Sequence, residues 1–352
     1  MQQFYGLQYL RFFCAMLIVL MHATEAISLR VSGSQMHIWN QGSAGVHLFF
    51  VISGFVMALT TPNAAKLGNS VGQAITFMKR RLIRIVPLYW LYTTVKVALV
   101  ILVPAMALRS TIEPGHLLAS YFFWPQMSPW GLIQPILPVG WSLNFEMLFY
   151  FIFAAAIALR AKRILFCLVI FAVIQLLAIN YPDSVALSFY GRSIIFEFLF
   201  GAMVAWLVKK DLKLPGWLVL ALYGVGLYSF FFYPWHVDVD DLISKSIPST
   251  LVVLAVVASE RFFERATPDL KRLAFWGDAS YSIYLSHSFV VPGAVVLAVK
   301  MGVSSEVSIL LFTLLLSAIA GGASYRWIER PMTGFFKAKL APPPISIIKP
   351  GT

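Results

Sequence analysis

The chain has 352 residues, of which 59% are hydrophobic and only 12% charged, and its formal net charge is +12. So little charge over such a length excludes a soluble globular domain and a disordered chain, and leaves the polytopic membrane class. A basic excess suggests nucleic acid in a soluble protein; here it falls on loops beside the membrane, so no nucleic-acid partner is expected.

The first apolar stretch, Leu7 to Ala26, reads LQYLRFFCAMLIVLMHATEA and carries Arg11 and His22. Eleven helical steps bring the two back to nearly the same face, about three turns or roughly 16 Å apart along the axis. Ionisable groups on one stripe of a membrane helix are costly and point to function. The plainer alternative is that Arg11 snorkels to the interface and His22 makes a packing contact. The run is too long for a signal peptide and is interrupted by Arg11, so it reads as an uncleaved first span.

Nine further apolar segments follow, giving spans near 7–27, 43–61, 84–103, 141–159, 164–180, 194–208, 214–232, 247–258, 279–299 and 307–327. The eighth is short for a crossing helix of about 20 residues and needs extension into its flanks. Of the 27 Lys and Arg residues, 20 fall in alternate loops, in clusters such as Lys79–Arg80–Arg81–Arg84, Arg160–Lys162–Arg163 and Lys209–Lys210–Lys213. The intervening loops hold only Arg30, Arg109, Arg192, Lys245 and Lys300. By the positive-inside rule the chain is expected to be an all-α polytopic bundle of about ten transmembrane helices with both termini cytoplasmic. Residues 1–340 form the membrane domain in this reading, and 341–352 a Pro-rich disordered tail. Cys14 and Cys167 lie inside apolar spans and form no disulfide framework.

Orientation assigns each polar residue a depth. Arg11, Arg81 and Arg84 lie near the inner face, His22 in the outer third and His287 near mid-membrane. Trp141 sits at the outer surface with Glu146 one to two turns deeper, in the same layer as His22. Arg81 and Arg84, spaced i, i+3 on one helical face, suit an anion such as the phosphates of a nucleotide-like donor; anchoring to anionic membrane lipid is the competing reading. Glu197 is a buried carboxylate without an evident partner. Ser53 and Gly54 are expected to let helices approach closely, and Glu329 to pair with Arg330. The Pro-rich segment from Pro104 to Gly140 reads as a structured cap or re-entrant piece. Asp238, Asp240 and Asp241 fit a solvated loop better than a divalent-ion site, so no metal is expected.

Six motifs, in order over nearly the whole chain, resemble the membrane acyltransferase 3 family. They are Arg11 and His22 at arginine–ten residues–histidine spacing, GSAGVHLFFVISGF from Gly42 to Phe55, and FMKRRLIRIVPLYW from Phe77 to Trp90. WSLNFEMLFY from Trp141 to Tyr150, SYSIYLSH from Ser280 to His287 and the IERP ending at Pro331 complete the set. The resemblance implies transfer of an acyl group, usually acetyl, from cytoplasmic acyl-CoA to a carbohydrate hydroxyl. It also implies a stand-alone form, similar to exopolysaccharide and lipopolysaccharide O-acetyltransferases, in a bacterial inner membrane. The acceptor is a carbohydrate, free or lipid-linked; the donor is a substrate, and no permanently bound cofactor is expected.

The residues can be given roles that agree with this. A sugar hydroxyl is a poor nucleophile at neutral pH and needs a base within reach. A neutral His22 can accept that proton, and Glu146 can orient the imidazole as a triad carboxylate does. A histidyl-acyl intermediate fits equally well. Arg11, Arg81 and Arg84 are expected to hold the CoA phosphates. Trp141, Ser142, Asn144, Tyr284 and His287 are the candidates to line the acceptor site, with belt anchoring as the alternative for Trp141 and helix–helix hydrogen bonding for Ser142 and Asn144. A secondary transporter would also bury charge in a bundle, but predicts inverted halves with broken helices. A lipid-linked glycosyltransferase would place its metal on Asp238 and Asp240, on the face where nucleotide sugars are absent. Acyl-CoA, an ion gradient or a lipid-linked sugar as the required donor separates the three. The oligomeric state is not legible.

Overall fold

A computed structural model describes residues 4–61, 68–103, 112–232, 242–265 and 267–340. Each of the ten apolar segments falls on a helix: α1 Tyr5–Arg30, α2 Ala44–Thr60, α3 Ser70–Leu102, α4 Trp141–Ala158, α5 Arg163–Asn180, α6 Glu197–Lys209, α7 Gly216–Phe232, α8 Ile247–Ala258, α9 Ser280–Lys300 and α10 Glu306–Ser324. Among the described residues, extended pairing is limited to one bridge, Met127 with Ile133. Seven helical stretches, on α1, α2, α3, α4, α5, α9 and α10, are long and apolar enough to cross a membrane. The chain is therefore an all-α multi-pass membrane protein. The remaining three are shorter, and α8 is lengthened at its start by the wide π-type turn Leu242–Ser246. The tail 341–352 and the aspartates Asp238, Asp240 and Asp241 lie outside the described residues, as do Pro104, Lys66, Arg109 and Lys349.

Two boundaries differ from expectation. The third helix starts at Ser70, where the Asn69 side chain accepts a hydrogen bond from Gly72 N at 2.8 Å and caps it. Lys79 to Arg84 are therefore helical residues rather than loop residues, and Pro87 sits inside the helix. Polar residues before an apolar run continue a helix readily when one face stays wet. The last helix likewise runs on through a π-type turn, Tyr325–Glu329, into an amphipathic end at Arg330–Leu340.

α1 is the central helix. It packs on α2, α9 and α10, and its start is held from far along the chain. Glu260 accepts from Tyr5 N at 2.5 Å and from Gly6 N at 3.0 Å, satisfying two donors that the helix itself leaves open. α2 and α6 approach each other closely, backbone against backbone. A Cβ on Gly54 would meet the Phe198 carbonyl oxygen at 2.0 Å, and one on Gly201 would meet that of Val51 at 1.9 Å. The expectation for Gly54 holds, with Gly201 as its counterpart. His47 pairs with Glu197 at one end of this seam and Phe55 lies against Gly201 further along, so the two helices run in the same direction.

The described part of the Pro-rich segment is a structured cap. A short helix, Pro114–Tyr121, is tied to α3 where Ser120 O accepts from Tyr89 OH at 2.9 Å and Tyr121 O from Trp90 Nε1 at 2.8 Å. His116 Nε2 donates to Gln134 O at 2.8 Å and closes it on itself.

The α2–α6 seam makes a direct prediction. Gly201→Ala should lower the melting temperature of the detergent-solubilised protein by several degrees, because the new methyl meets backbone that cannot turn aside. Gly224→Ala, at a helical position with open space around it, should leave the melting temperature unchanged or slightly raised. Equal effects at both positions would contradict the packing.

Candidate active site: two stacked cavities

Two cavities lie one above the other along α1, α2, α4 and α9. The first, of about 150 Å³, is lined by Arg11, Arg81 and Arg84 together with Glu146, Ser53 and Tyr150. The second, of about 190 Å³, is lined by His22, His47, Trp141, Arg192 and Lys245 among others. Val46 and Tyr284 line both and form the shared wall. Tyr284 is fixed there by its hydroxyl, which donates to Val139 O at 2.6 Å and meets Ser142 Oγ at 2.8 Å.

Helical spacing explains the stacking. On α1, Arg11 serves the basic cavity and His22, about 16 Å further along the axis, serves the histidine cavity. On α9, the stripe Tyr281, Tyr284, His287 climbs the same way. Tyr281 lines the basic cavity, Tyr284 the shared wall, and His287 lies behind His22.

The basic cavity joins three arginines and one carboxylate. Arg11 donates to Gln8 Oε1 at 3.1 Å, and Arg81 donates to Thr60 Oγ1 at 3.2 Å while lying over the Phe77 ring. Glu146 Oε1 accepts from Ser53 Oγ at 2.8 Å and from Tyr150 OH. Three fixed cations around one carboxylate leave a positive field in a low-dielectric site, which suits a polyanion. A group with two or more phosphates fits this donor set, because guanidinium forks bind phosphate oxygens bidentately and three of them exceed the charge of a single carboxylate.

This arrangement corrects the expected partnership of Glu146 with His22. The two line different cavities, and the partner of His22 is Glu25, with Nδ1 3.1 Å from Oε2. Glu146 was placed by depth along its own helix; the side chain leaves α4 toward α2 and the arginines. Asn144 is also displaced from expectation. It is buried and lines neither cavity. His287 is buried too, with neither ring nitrogen hydrogen-bonded, and stacks on His22 at 5.2 Å between centroids. It backs the cavity instead of lining it. Ser142 lines the basic cavity beside Tyr284, and Trp141 lines the histidine cavity with the Arg192 guanidinium over its ring at 5.3 Å. Glu329 accepts from Ser282 Oγ at 2.6 Å in place of an ion pair with Arg330.

Sequence reasoning left out two groups that matter. His47 lies within the quoted span-two motif and is the partner that Glu197 lacked, with Nδ1 2.5 Å from Oε1. The signal was available in that both are ionisable residues in apolar spans, but only the folded seam joins them. Tyr150 stands four residues from Glu146, the spacing at which helical side chains meet. Ser53, expected chiefly as a packing residue, also places its hydroxyl on Glu146. Among the described residues no group of three or more His, Cys, Asp and Glu is arranged to hold a metal ion.

An arginine-lined cavity stacked on an imidazole-lined one lies inside a multi-pass helical membrane bundle. A family model described as "Acyltransferase domain" matches residues 4–327, and the chain belongs to that acyltransferase 3 family. It is similar to the Exopolysaccharide production protein ExoZ of Rhizobium meliloti (strain 1021), 34% identical over 304 residues that cover 84% of this chain and 91% of that protein. No solved structure matches it.

The placement of Glu146 can be tested without turnover. Glu146→Gln keeps an acceptor for Ser53 and Tyr150 but removes the negative charge facing the arginines. Inorganic tripolyphosphate, as a polyanion probe, should then bind the solubilised protein several-fold more tightly by calorimetry, with the gain shrinking as salt rises. Unchanged or weaker binding would contradict the shared cavity.

Proposed function

We propose that the protein is an integral-membrane O-acyltransferase that moves an acyl group, acetyl in the simplest case, from cytoplasmic acyl-CoA to a hydroxyl of an exported carbohydrate. Exopolysaccharide is the favoured acceptor class, free or lipid-linked, and the bacterial inner membrane the favoured location. The observation that carries this reading is the pair of stacked cavities with a shared wall at Val46 and Tyr284. Membership of the acyltransferase family and the similarity to an exopolysaccharide production protein support it.

In this reading the phosphates of CoA rest on Arg11, Arg81 and Arg84 at the basic end, which the charge asymmetry of the loops assigns to the cytoplasm. The thiol arm passes Tyr284 and presents the thioester in the histidine cavity. His22 takes the proton of the acceptor hydroxyl as the new ester C–O bond forms. The C–S bond then breaks, and the proton on His22 passes to the departing thiolate, so that CoA leaves as the free thiol. Glu25 holds the imidazole of His22 through Nδ1, leaving Nε2 for the hydroxyl. Trp141 offers an aromatic face to a sugar ring at the same cavity. Glu146, with Ser53 and Tyr150, sets the wall of the donor cavity and limits its positive charge.

The test is acyl transfer by purified protein in proteoliposomes, with radiolabelled acetyl-CoA and the deacylated exopolysaccharide as acceptor. His22→Ala should lose at least 10²-fold in kcat, the usual contribution of a positioned base. The double variant Arg81→Gln/Arg84→Gln should mainly raise KM for acetyl-CoA, by 10-fold or more. Full activity of His22→Ala, or an unchanged KM in the arginine variant, would overturn the assignment.

A further inference from the structure

His47 and Glu197 form a second imidazole–carboxylate pair at the histidine cavity, on helices that do not carry His22. Glu197 is fully buried in the first turn of α6. Its Oε1 also accepts from Ser246 Oγ at 2.6 Å, while Oε2 has no hydrogen-bond partner among the described residues. His47 is buried to within a few per cent, spends Nδ1 on Glu197 and lines the cavity. Nε2 is thereby left for the cavity. The Gly54–Gly201 approach holds α2 and α6 together and fixes the pair in place.

Charge then decides what Nε2 can do. A buried carboxylate with a bare oxygen is costly as a lone anion, so the pair is cheapest without net charge. Two forms meet that condition, imidazolium against carboxylate and imidazole against carboxylic acid. In both, one proton lies between Nδ1 and Oε1, on one partner or the other, and Nε2 carries its own hydrogen. The start of α6 favours the first form through its helix dipole. His47 therefore faces the cavity as a hydrogen-bond donor, the complement of a proton-accepting His22 at the same cavity.

We propose that His47 is a catalytic residue whose Nε2–H stabilises the oxyanion formed on the thioester carbonyl as the acceptor hydroxyl adds, with Glu197 as its positioning residue. The inference rests on the acyl-transfer reading above. The proton stays on Nε2 throughout; the donor strengthens its hydrogen bond as charge develops on the carbonyl oxygen and releases it when the C–S bond breaks. Arg192 and Lys245 line the same cavity and add positive field, and Nε2–H is a donor held by a buried partner.

Two double variants separate this from a packing role, each removing the carboxylate that a single change would strand. His47→Gln/Glu197→Gln keeps an amide donor near the Nε2 position, and His47→Leu/Glu197→Gln has none. Steady-state acetyl transfer in proteoliposomes should give the first variant kcat within about 10-fold of wild type. The second should fall 10²- to 10³-fold, the usual cost of a lost oxyanion donor, with KM for acetyl-CoA unchanged in both. Equal loss in both, which a structural role or a proton-accepting His47 predicts, would overturn the proposal, as would full activity in both. Wild-type protein without acetyl-CoA-dependent transfer would instead overturn the broader reading of the site.

Discussion

A charge inside an apolar bundle must have a partner or a wet cavity, and this constraint organises the protein. The cost of a bare ion in such a medium is several kcal/mol or more. Several ionisable groups among the described residues meet the requirement, whereas His287 is buried with neither ring nitrogen hydrogen-bonded. Arg11, Arg81 and Arg84 gather round one cavity with Glu146; His22 holds Glu25; His47 holds Glu197; Glu329 takes a hydroxyl from Ser282. The result is two polar chambers separated by a wall made of Val46 and Tyr284.

Packing and chemistry are linked at the α2–α6 seam. Two helices without a hydrophobic force between them in lipid associate through close contact, and small residues permit it. Gly54 and Gly201 bring backbone against backbone. That closeness sets His47 on Glu197 at the end of the seam nearest the histidine cavity. A change that spreads the seam would therefore reach the cavity without touching it. Tyr284 plays the same double part on α9: its hydroxyl braces Val139 and Ser142, and the residue lines both chambers.

Much of the fold was legible in the sequence, because runs of apolar residues and the placement of Lys and Arg follow from membrane energetics alone. All ten apolar segments are helices. Boundaries were less legible where a helix runs beyond the apolar run, as α3 does from Ser70 and the last helix does to Leu340. The arginines of the basic cavity were grouped by spacing on one face, which survives folding. Glu146 was not placed correctly, since depth along a helix says nothing about the direction in which a side chain leaves it. Asn144 and His287 differ for the same reason. The His47–Glu197 contact spans 150 positions, and no local pattern announces a partner at such a separation.

In the proposed acyl transfer, donor and acceptor approach the two chambers from opposite ends, and sidedness is the property that tests the proposal most directly. Labelled acetyl-CoA would be supplied to sealed vesicles of known orientation, at one face only, with acceptor polysaccharide confined to the other. Label should reach the acceptor when acetyl-CoA meets the face carrying Arg81 and Arg84, and fail to do so in the reverse arrangement. Equal transfer from either face, or transfer only when donor and acceptor share a compartment, would contradict a path through the wall between the cavities.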